Sequence, residues 1–250
     1  MVSDLQQFCG LRDRQAATDA LEAAHWDLEL AGDYILCAAA NASAAAPTPP
    51  PVDLTKINAW FETYAEEDQP ETMQVDGIVK FCQDLEVSPE DIVLVVISKY
   101  FGAANMLVYT KEEFVRGMQA MGVDTLDKLK QKIPDLRAEL KDDELFKEIY
   151  FFAFGWACPP GQKSMQTETA VALWKLLLPE RFELLDTWTK YIEQNRKHAI
   201  SRDEWQLLLQ FAKATDKDLN GYDENEAWPV LIDEFAEYVK NNTDSSAGTN

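Results

Sequence analysis

The sequence predicts an all-α protein made of one small and one larger module. Three observations carry this. Apolar residues recur at three- and four-residue spacing through nearly every segment, no run alternates apolar and polar residues over strand length, and an alanine- and proline-rich stretch divides the chain. That stretch, CAAANASAAAPTPPPV at 37–52, carries no charge and reads as a fraying helix end followed by a semi-rigid linker. The modules are therefore 1–40 and 53–240, with 41–52 as linker. The segment NNTDSSAGTN, 241–250, lacks an apolar anchor and is expected to be disordered.

Helix starts in the larger module carry capping signals. SPED at 88–91 offers Ser88 as N-cap, Pro89 at the first helical position and Asp91 at the third. Thr110 with Glu113, and Ser201 with Glu204, form capping boxes. The helix begun by Ser201 aligns Trp205, Leu208, Leu209 and Ala212 in one apolar stripe, and the final helix aligns Trp228, Ile232, Phe235 and Val239. Joined by a loop that contains glycine, the two are expected to pack as a helix–loop–helix hairpin.

The connecting loop, DKDLNGYDENEAWP from Asp216 to Pro229, starts like a calcium loop. Asp216, Asp218, Asn220 and Gly221 fall on positions one, three, five and six of an EF-hand. The twelfth position, which needs a bidentate carboxylate, is Ala227, and the eighth, normally apolar, is Asp223. Asp223 has a simpler use as N-cap of the final helix, with Glu226 three residues later. A second helix–loop–helix is suspected at 66–78, where Pro70 and Thr72 occupy ligand positions. An EF-hand-like helix pairing without metal is the expectation, with a calcium sensor as the alternative.

Composition narrows the function classes. The chain of 250 residues is 46% hydrophobic, ample for a buried core, and its formal charge of −21 opposes general nucleic-acid binding while favouring basic protein partners. Cys9, Cys37, Cys82 and Cys158 are far apart, and only His25 and His198 could join them, so neither a disulfide framework nor a zinc site is suggested and a reducing compartment fits. The N-terminal MVSDLQQF is too polar for a signal peptide, and the longest apolar run, IVLVVI at 92–97, is far short of a membrane span. A soluble, intracellular protein with no cofactor is expected. Cys158, in WACPPGQK, is a conceivable nucleophile, but no partnering base can be identified; a cysteine-dependent ligase is thus the enzyme alternative to an interaction protein.

The run ISRDEWQLLLQFAKATDKDLNGYDENEAWPVLIDEF, 200–235, is similar to the potentiating-neddylation (PONY) domain of the defective-in-cullin-neddylation family, and the similarity extends through FFAFGWACPPGQKSM, RFELLDTWTKYI and VDGIVKFCQDLEV. FCGLRDRQAATDALEAAHWDLELAGDYIL, 8–36, resembles a ubiquitin-associated (UBA) three-helix domain, with Phe8-Cys9-Gly10 standing in place of the usual loop after helix one. The resemblance implies a non-catalytic scaffold, in the cytoplasm and nucleus, that binds a cullin's C-terminal winged-helix domain and the neddylation conjugating enzyme. It would thereby promote transfer of the ubiquitin-like modifier to the cullin lysine and meet the RING subunit of cullin ligases only indirectly.

The resemblance also implies sites. The cullin-binding residues would be Asp203, Ala227 and Asp233, the last two taken to lie about 120° apart on one helix. An apolar pocket formed by Val75, Ile78, Leu94, Ile97, Phe101, Tyr109, Trp156 and Leu176 would take the N-acetylated initiator methionine of the conjugating enzyme. Weak ubiquitin binding is expected through Phe8, Cys9 and Gly10 and the last helix near Tyr34.

Overall fold

The computed structural model describes residues 52–196 and 198–247. The expectations for Phe8, Cys9, Gly10 and Tyr34 lie outside the described residues. Pro51–Asn250 form one compact unit, in which ten helices are seen among the described residues. In chain order these are α1 (Leu54–Glu62), α2 (Val75–Leu85), α3 (Ile92–Phe101), α4 (Lys111–Met121), α5 (Leu126–Glu139), α6 (Asp143–Ala157), α7 (Thr167–Leu177), α8 (Leu185–Asn195), α9 (Arg202–Ala214) and α10 (Val230–Ala247).

Four two-residue strands lie between helices: β1 (Thr72–Met73), β2 (Tyr109–Thr110), β3 (Ser164–Met165) and β4 (Ile200–Ser201). β1 pairs antiparallel with β2, Met73 opposite Tyr109, and β3 with β4, Met165 opposite Ile200. Each ladder joins two helix–strand–helix units, α1 to α4 in the first half and α6 to α9 in the second. β1 falls within the suspected 66–78 loop. The calcium-like loop, between α9 and α10, belongs to neither ladder.

Both capping boxes form. Thr110 Oγ1 accepts from Glu113 N while Glu113 Oε2 accepts from Thr110 N, and Ser201 and Glu204 do the same. Two other helix starts differ from expectation. α3 begins at Ile92, capped by Asp91, whose Oδ1 accepts from Val93 N; Ser88 instead heads a turn that receives Asp91 N–H on its carbonyl. Asp91 prevails because Arg137 holds its other oxygen at 2.6 Å, which fixes the carboxylate at the helix end.

α10 begins at Val230 rather than after Asp223. Asp223 Oδ1 instead accepts from the backbone and side-chain amides of Asn225, closing a turn on the spot. Ala227 and Trp228 consequently lie outside the helix, so Ala227 and Asp233 do not share it. α10 also continues to Ala247, well into the segment expected to be disordered; once nucleated against the core, helix propagation adds a hydrogen bond per residue.

The core of the first half is a cluster of rings, Phe61, Phe81, Phe101 and Phe114, each fully enclosed. α3 and α4 approach so closely that a Cβ on Gly117 would stand 2.1 Å from Phe101 Cδ1 and 2.8 Å from its backbone nitrogen. In the second half Tyr150, Trp174 and Trp205 stack, with centroids 4.5 Å apart for Tyr150–Trp205 and 5.5 Å for Trp174–Trp205. Trp205 Nε1 donates to the Tyr150 carbonyl, Tyr150 Oη donates to the Trp205 carbonyl, and Trp174 Nε1 donates to Tyr150 Oη. No described helix is long and apolar enough to cross a membrane.

Tyr150→Phe keeps the ring but leaves the enclosed Trp174 indole N–H without an acceptor. It should lower unfolding free energy by about 1–3 kcal/mol, read as a lower urea midpoint at unchanged slope.

Candidate functional site

α3, α6 and α7 enclose a cavity of about 440 Å³. Its floor is Leu94 and Val95 of α3, Trp156 of α6, and Leu173 and Leu176 of α7, with Met106 from the loop after α3; Pro89, Glu90, Ala172 and Lys175 are exposed at its mouth. The walls are set by local chemistry. Met106 N–H donates to the Trp156 carbonyl, an end-of-helix acceptor that α6 cannot satisfy itself. Glu113 of the capping box spends its second oxygen on Ala104 N–H, which pins the same loop. Asp91, capping α3 and paired with Arg137, fixes the edge.

Of the residues proposed for the pocket, Leu94, Trp156 and Leu176 line this cavity. Ile97, Phe101 and Tyr109 are fully enclosed and Ile78 nearly so, all within the first-half core. Tyr109 donates to Ser98 Oγ at 2.6 Å, and Ser98 in turn donates to the Leu94 carbonyl, so this group braces the helix that carries Leu94 without itself lining the cavity. Burial pushes the Tyr109 hydroxyl far above its ordinary pKa, which keeps it a donor at neutral pH. Val75 stands 49% exposed at the start of α2.

Sequence reasoning missed Val95, Met106, Ala172 and Leu173. A signal for part of this set was present. Thr169, Ala172, Leu173 and Leu176 follow i, i+3, i+4, i+7 spacing and all line the cavity, while Ala170, Val171, Trp174 and Leu177 of the same helix are buried in the core. α7 is thus apolar on two faces, one more than the core requires.

The second candidate surface lies around the loop between α9 and α10. Asp216 Oδ1 accepts from Asp218 N and Asn220 N, and its Oδ2 accepts from Asn220 Nδ2. The Asn220 side chain first, and then the backbone amides, hold the Asp216 carboxyl below the usual range. The carboxylate that would be a first calcium ligand is therefore engaged in closing its own loop. No group of three or more potential ligands placed to hold a metal occurs among the described residues.

Leu219 (φ 60°) and Gly221 (φ 93°) turn the chain, and a Cβ on Gly221 would meet the Ala214 carbonyl at 2.0 Å. Past that turn Tyr222 Oη donates to Asp233 Oδ1 at 2.6 Å, and Trp228 Nε1 donates to the Asp223 carbonyl. Ala227 is exposed in the loop, Asp233 is half-buried in the first turn of α10, and Asp203 is exposed in the first turn of α9. Loop and helix start thus bring Ala227 and Asp233 into one junction, whereas Asp203 lies in the first turn of α9, at the end of that helix away from the loop. Val230, 70% exposed, adds an apolar side chain at the start of α10.

Burial raises the Cys82 thiol to about 11, and it also raises Cys158 despite the opposing charge of Arg202.

Comparison with known proteins adds two family matches: a cullin-binding model over residues 128–238 and a UBA-like domain model over residues 1–34. The chain is 38% identical to DCN1-like protein 5 of Homo sapiens over 185 residues, covering 74% of this chain and 77% of that protein. It is 37% identical to DCN1-like protein 4 of Drosophila melanogaster over 182 residues, 73% of each chain. Over 238 residues it is 34% identical to Defective in cullin neddylation protein 1 of Yarrowia lipolytica, 93% of each chain.

Gly221→Ala combines a disfavoured φ with a backbone clash. It should lower stability by about 1–3 kcal/mol, seen as a lower melting transition, and millimolar calcium should not restore it.

Proposed function

Because the chain belongs to the defective-in-cullin-neddylation family, and so has a role in cullin neddylation, we propose that it works as a two-site scaffold. It holds a cullin and the neddylation conjugating enzyme together and so promotes transfer of the ubiquitin-like modifier to the cullin lysine. The observation that carries this reading is one compact unit with two chemically different surfaces. An apolar cavity on α3, α6 and α7 suits one partner, and the acidic α9–α10 junction, inside the cullin-binding match, suits another. Fixing both partners on one body makes a bimolecular step nearly unimolecular.

The cullin would meet Asp203, Ala227 and Asp233. Ala227 lets a partner chain approach closely, and the surrounding Asp218, Asp223, Glu224 and Glu226, all exposed, would steer a basic winged-helix surface toward it. The conjugating enzyme would place its N-acetylated initiator methionine in the cavity between Leu94, Trp156 and Leu176. The volume falls in the range of about 300–1,000 Å³ usual for ligand pockets. Acetylation matters because a free ammonium would lose its hydration against apolar walls. Cysteine chemistry stays on the conjugating enzyme, consistent with the raised thiols of Cys82 and Cys158. The UBA-like match is in keeping with a further weak contact with ubiquitin, which would run through Phe8, Cys9, Gly10 and the region near Tyr34.

Calorimetry with N-terminal peptides of the conjugating enzyme should give measurable binding for the acetylated form and at least tenfold weaker binding for the free amine, about 1.4 kcal/mol. Leu176→Arg should abolish both without lowering the melting transition, since the residue is only half-buried. Equal binding of the two peptides would refute the cavity assignment. With a cullin winged-helix domain, Asp203→Ala, Ala227→Arg and Asp233→Ala should each weaken binding roughly tenfold and slow neddylation, with helicity unchanged. Replacing all four cysteines by alanine should leave stimulation intact.

A further inference from the structure

The calcium-like loop has a use that the proposed cullin contact does not explain. Its acidic head, Asp216, is consumed in holding Asp218 and Asn220, and its two left-handed residues, Leu219 and Gly221, reverse the chain against the end of α9. What this geometry delivers is Tyr222. The Tyr222 N–H donates to the Leu219 carbonyl, its ring lies 6.0 Å edge-on to the buried Phe211, and the Lys240 ammonium sits 5.2 Å over its face. The hydroxyl then reaches Asp233 Oδ1 at 2.6 Å, bridging the loop to the first turn of α10.

We propose that Tyr222 is the positioning residue of the cullin contact. Carried on a loop that closes on Asp216 instead of on a metal, it holds Asp233 Oδ1 and so orients Oδ2 toward a cationic side chain of the partner. The inference rests on the reading of Asp233 as a cullin-binding residue. Its physical basis is pre-organisation. A half-buried aspartate with no fixed partner still samples several rotamers, and a binding partner that needs one of them must order the side chain at the moment of binding. A charge-assisted hydrogen bond from a ring already fixed by Phe211 and Lys240 removes that cost beforehand. Among the described residues, Tyr222 engages one oxygen of the carboxylate, which leaves the other to accept from the partner.

The neighbouring charges agree with this assignment. Burial first, then the hydrogen bond to Asp233 and the charges of Asp233, Glu224 and Glu237, raise the Tyr222 hydroxyl, so the donor persists throughout the neutral range. Phosphate on that hydroxyl would break the bond and repel the same carboxylates, but nothing in the contact requires modification.

The test is a double-mutant cycle in the full chain, measuring affinity for the cullin winged-helix domain with wild type, Tyr222→Phe, Asp233→Ala and the double variant. Tyr222→Phe should weaken binding roughly five- to tenfold while the melting transition stays within a few degrees, because the ring and its packing remain. In the Asp233→Ala background the same change should have no further effect, since there is no carboxylate left to orient. Two results would overturn the inference and leave the cullin reading standing: wild-type affinity for Tyr222→Phe when Asp233→Ala is impaired, or a full additive loss in the double variant. Unimpaired binding by Asp233→Ala would remove the cullin reading and this inference with it. As a second probe of the loop, Asp216→Ala should weaken binding in wild type and not in Tyr222→Phe; equal losses in both would also count against positioning.

Discussion

The second half of the described unit is centred on the contact between Tyr150 of α6 and Trp205 of α9. The two residues exchange hydrogen bonds, indole to carbonyl in one direction and hydroxyl to carbonyl in the other, while their rings stack at 4.5 Å. Trp174 of α7 joins the stack and donates to the same hydroxyl. Three helices are thereby held at a fixed rotation, since the Tyr150 hydroxyl both donates to α9 and accepts from α7, and the Trp205 ring stacks against both Tyr150 and Trp174. The rotation matters beyond stability. α6 and α7 supply cavity walls, and α9 supplies Asp203 and the stem of the loop that carries Tyr222, so a single buried node sets the orientation of both candidate surfaces.

Around that node, short-range bonds do two tasks at once. Glu113 closes the capping box of α4 with one oxygen and pins Ala104 with the other, and the pinned loop is the one that brings Met106 to the cavity. Glu204 repeats the arrangement: it caps α9 through Ser201 and receives the Arg196 guanidinium at 2.7 Å, which fixes the turn before β4. Asp91 caps α3 and pairs with Arg137 across to α5. In each case a carboxylate at a helix start, favoured there by the helix dipole, has a second oxygen available for a tertiary contact.

The same logic applies to the loop that begins like a calcium loop. A calcium loop brings carboxylates together around a cation, and without a cation to neutralise them such a like-charged cluster would repel itself. Here Asn220 supplies donors in place of the ion, and Asp216 is satisfied from within. The acidic side chains not needed for closure face solvent, where in a chain of net charge −21 they add to a field that attracts basic partners.

The sequence by itself determined the all-helical class, the capping boxes at Thr110 and Ser201, the stripe from Trp205 to Ala212 and the family. Each of these depends on residues close in the chain or on a long, specific pattern. Tertiary structure decided the rest. Ser88 and Asp223 were reasonable caps by local rule, yet Asp91 prevails because Arg137, far along the chain, fixes it, and Asp223 loses the helix start to a turn with Asn225. IVLVVI is apolar on every side, so nothing in it separates Leu94, which lines the cavity, from Ile97, which is core; only the placement of α6 and α7 makes that distinction. The bond from Tyr222 to Asp233 spans a loop whose shape depends on two left-handed residues and a close approach to Ala214. Periodicity records which residues are apolar. Which apolar face meets a neighbour and which is left to form a cavity depends on helices distant in sequence, and that only packing can fix.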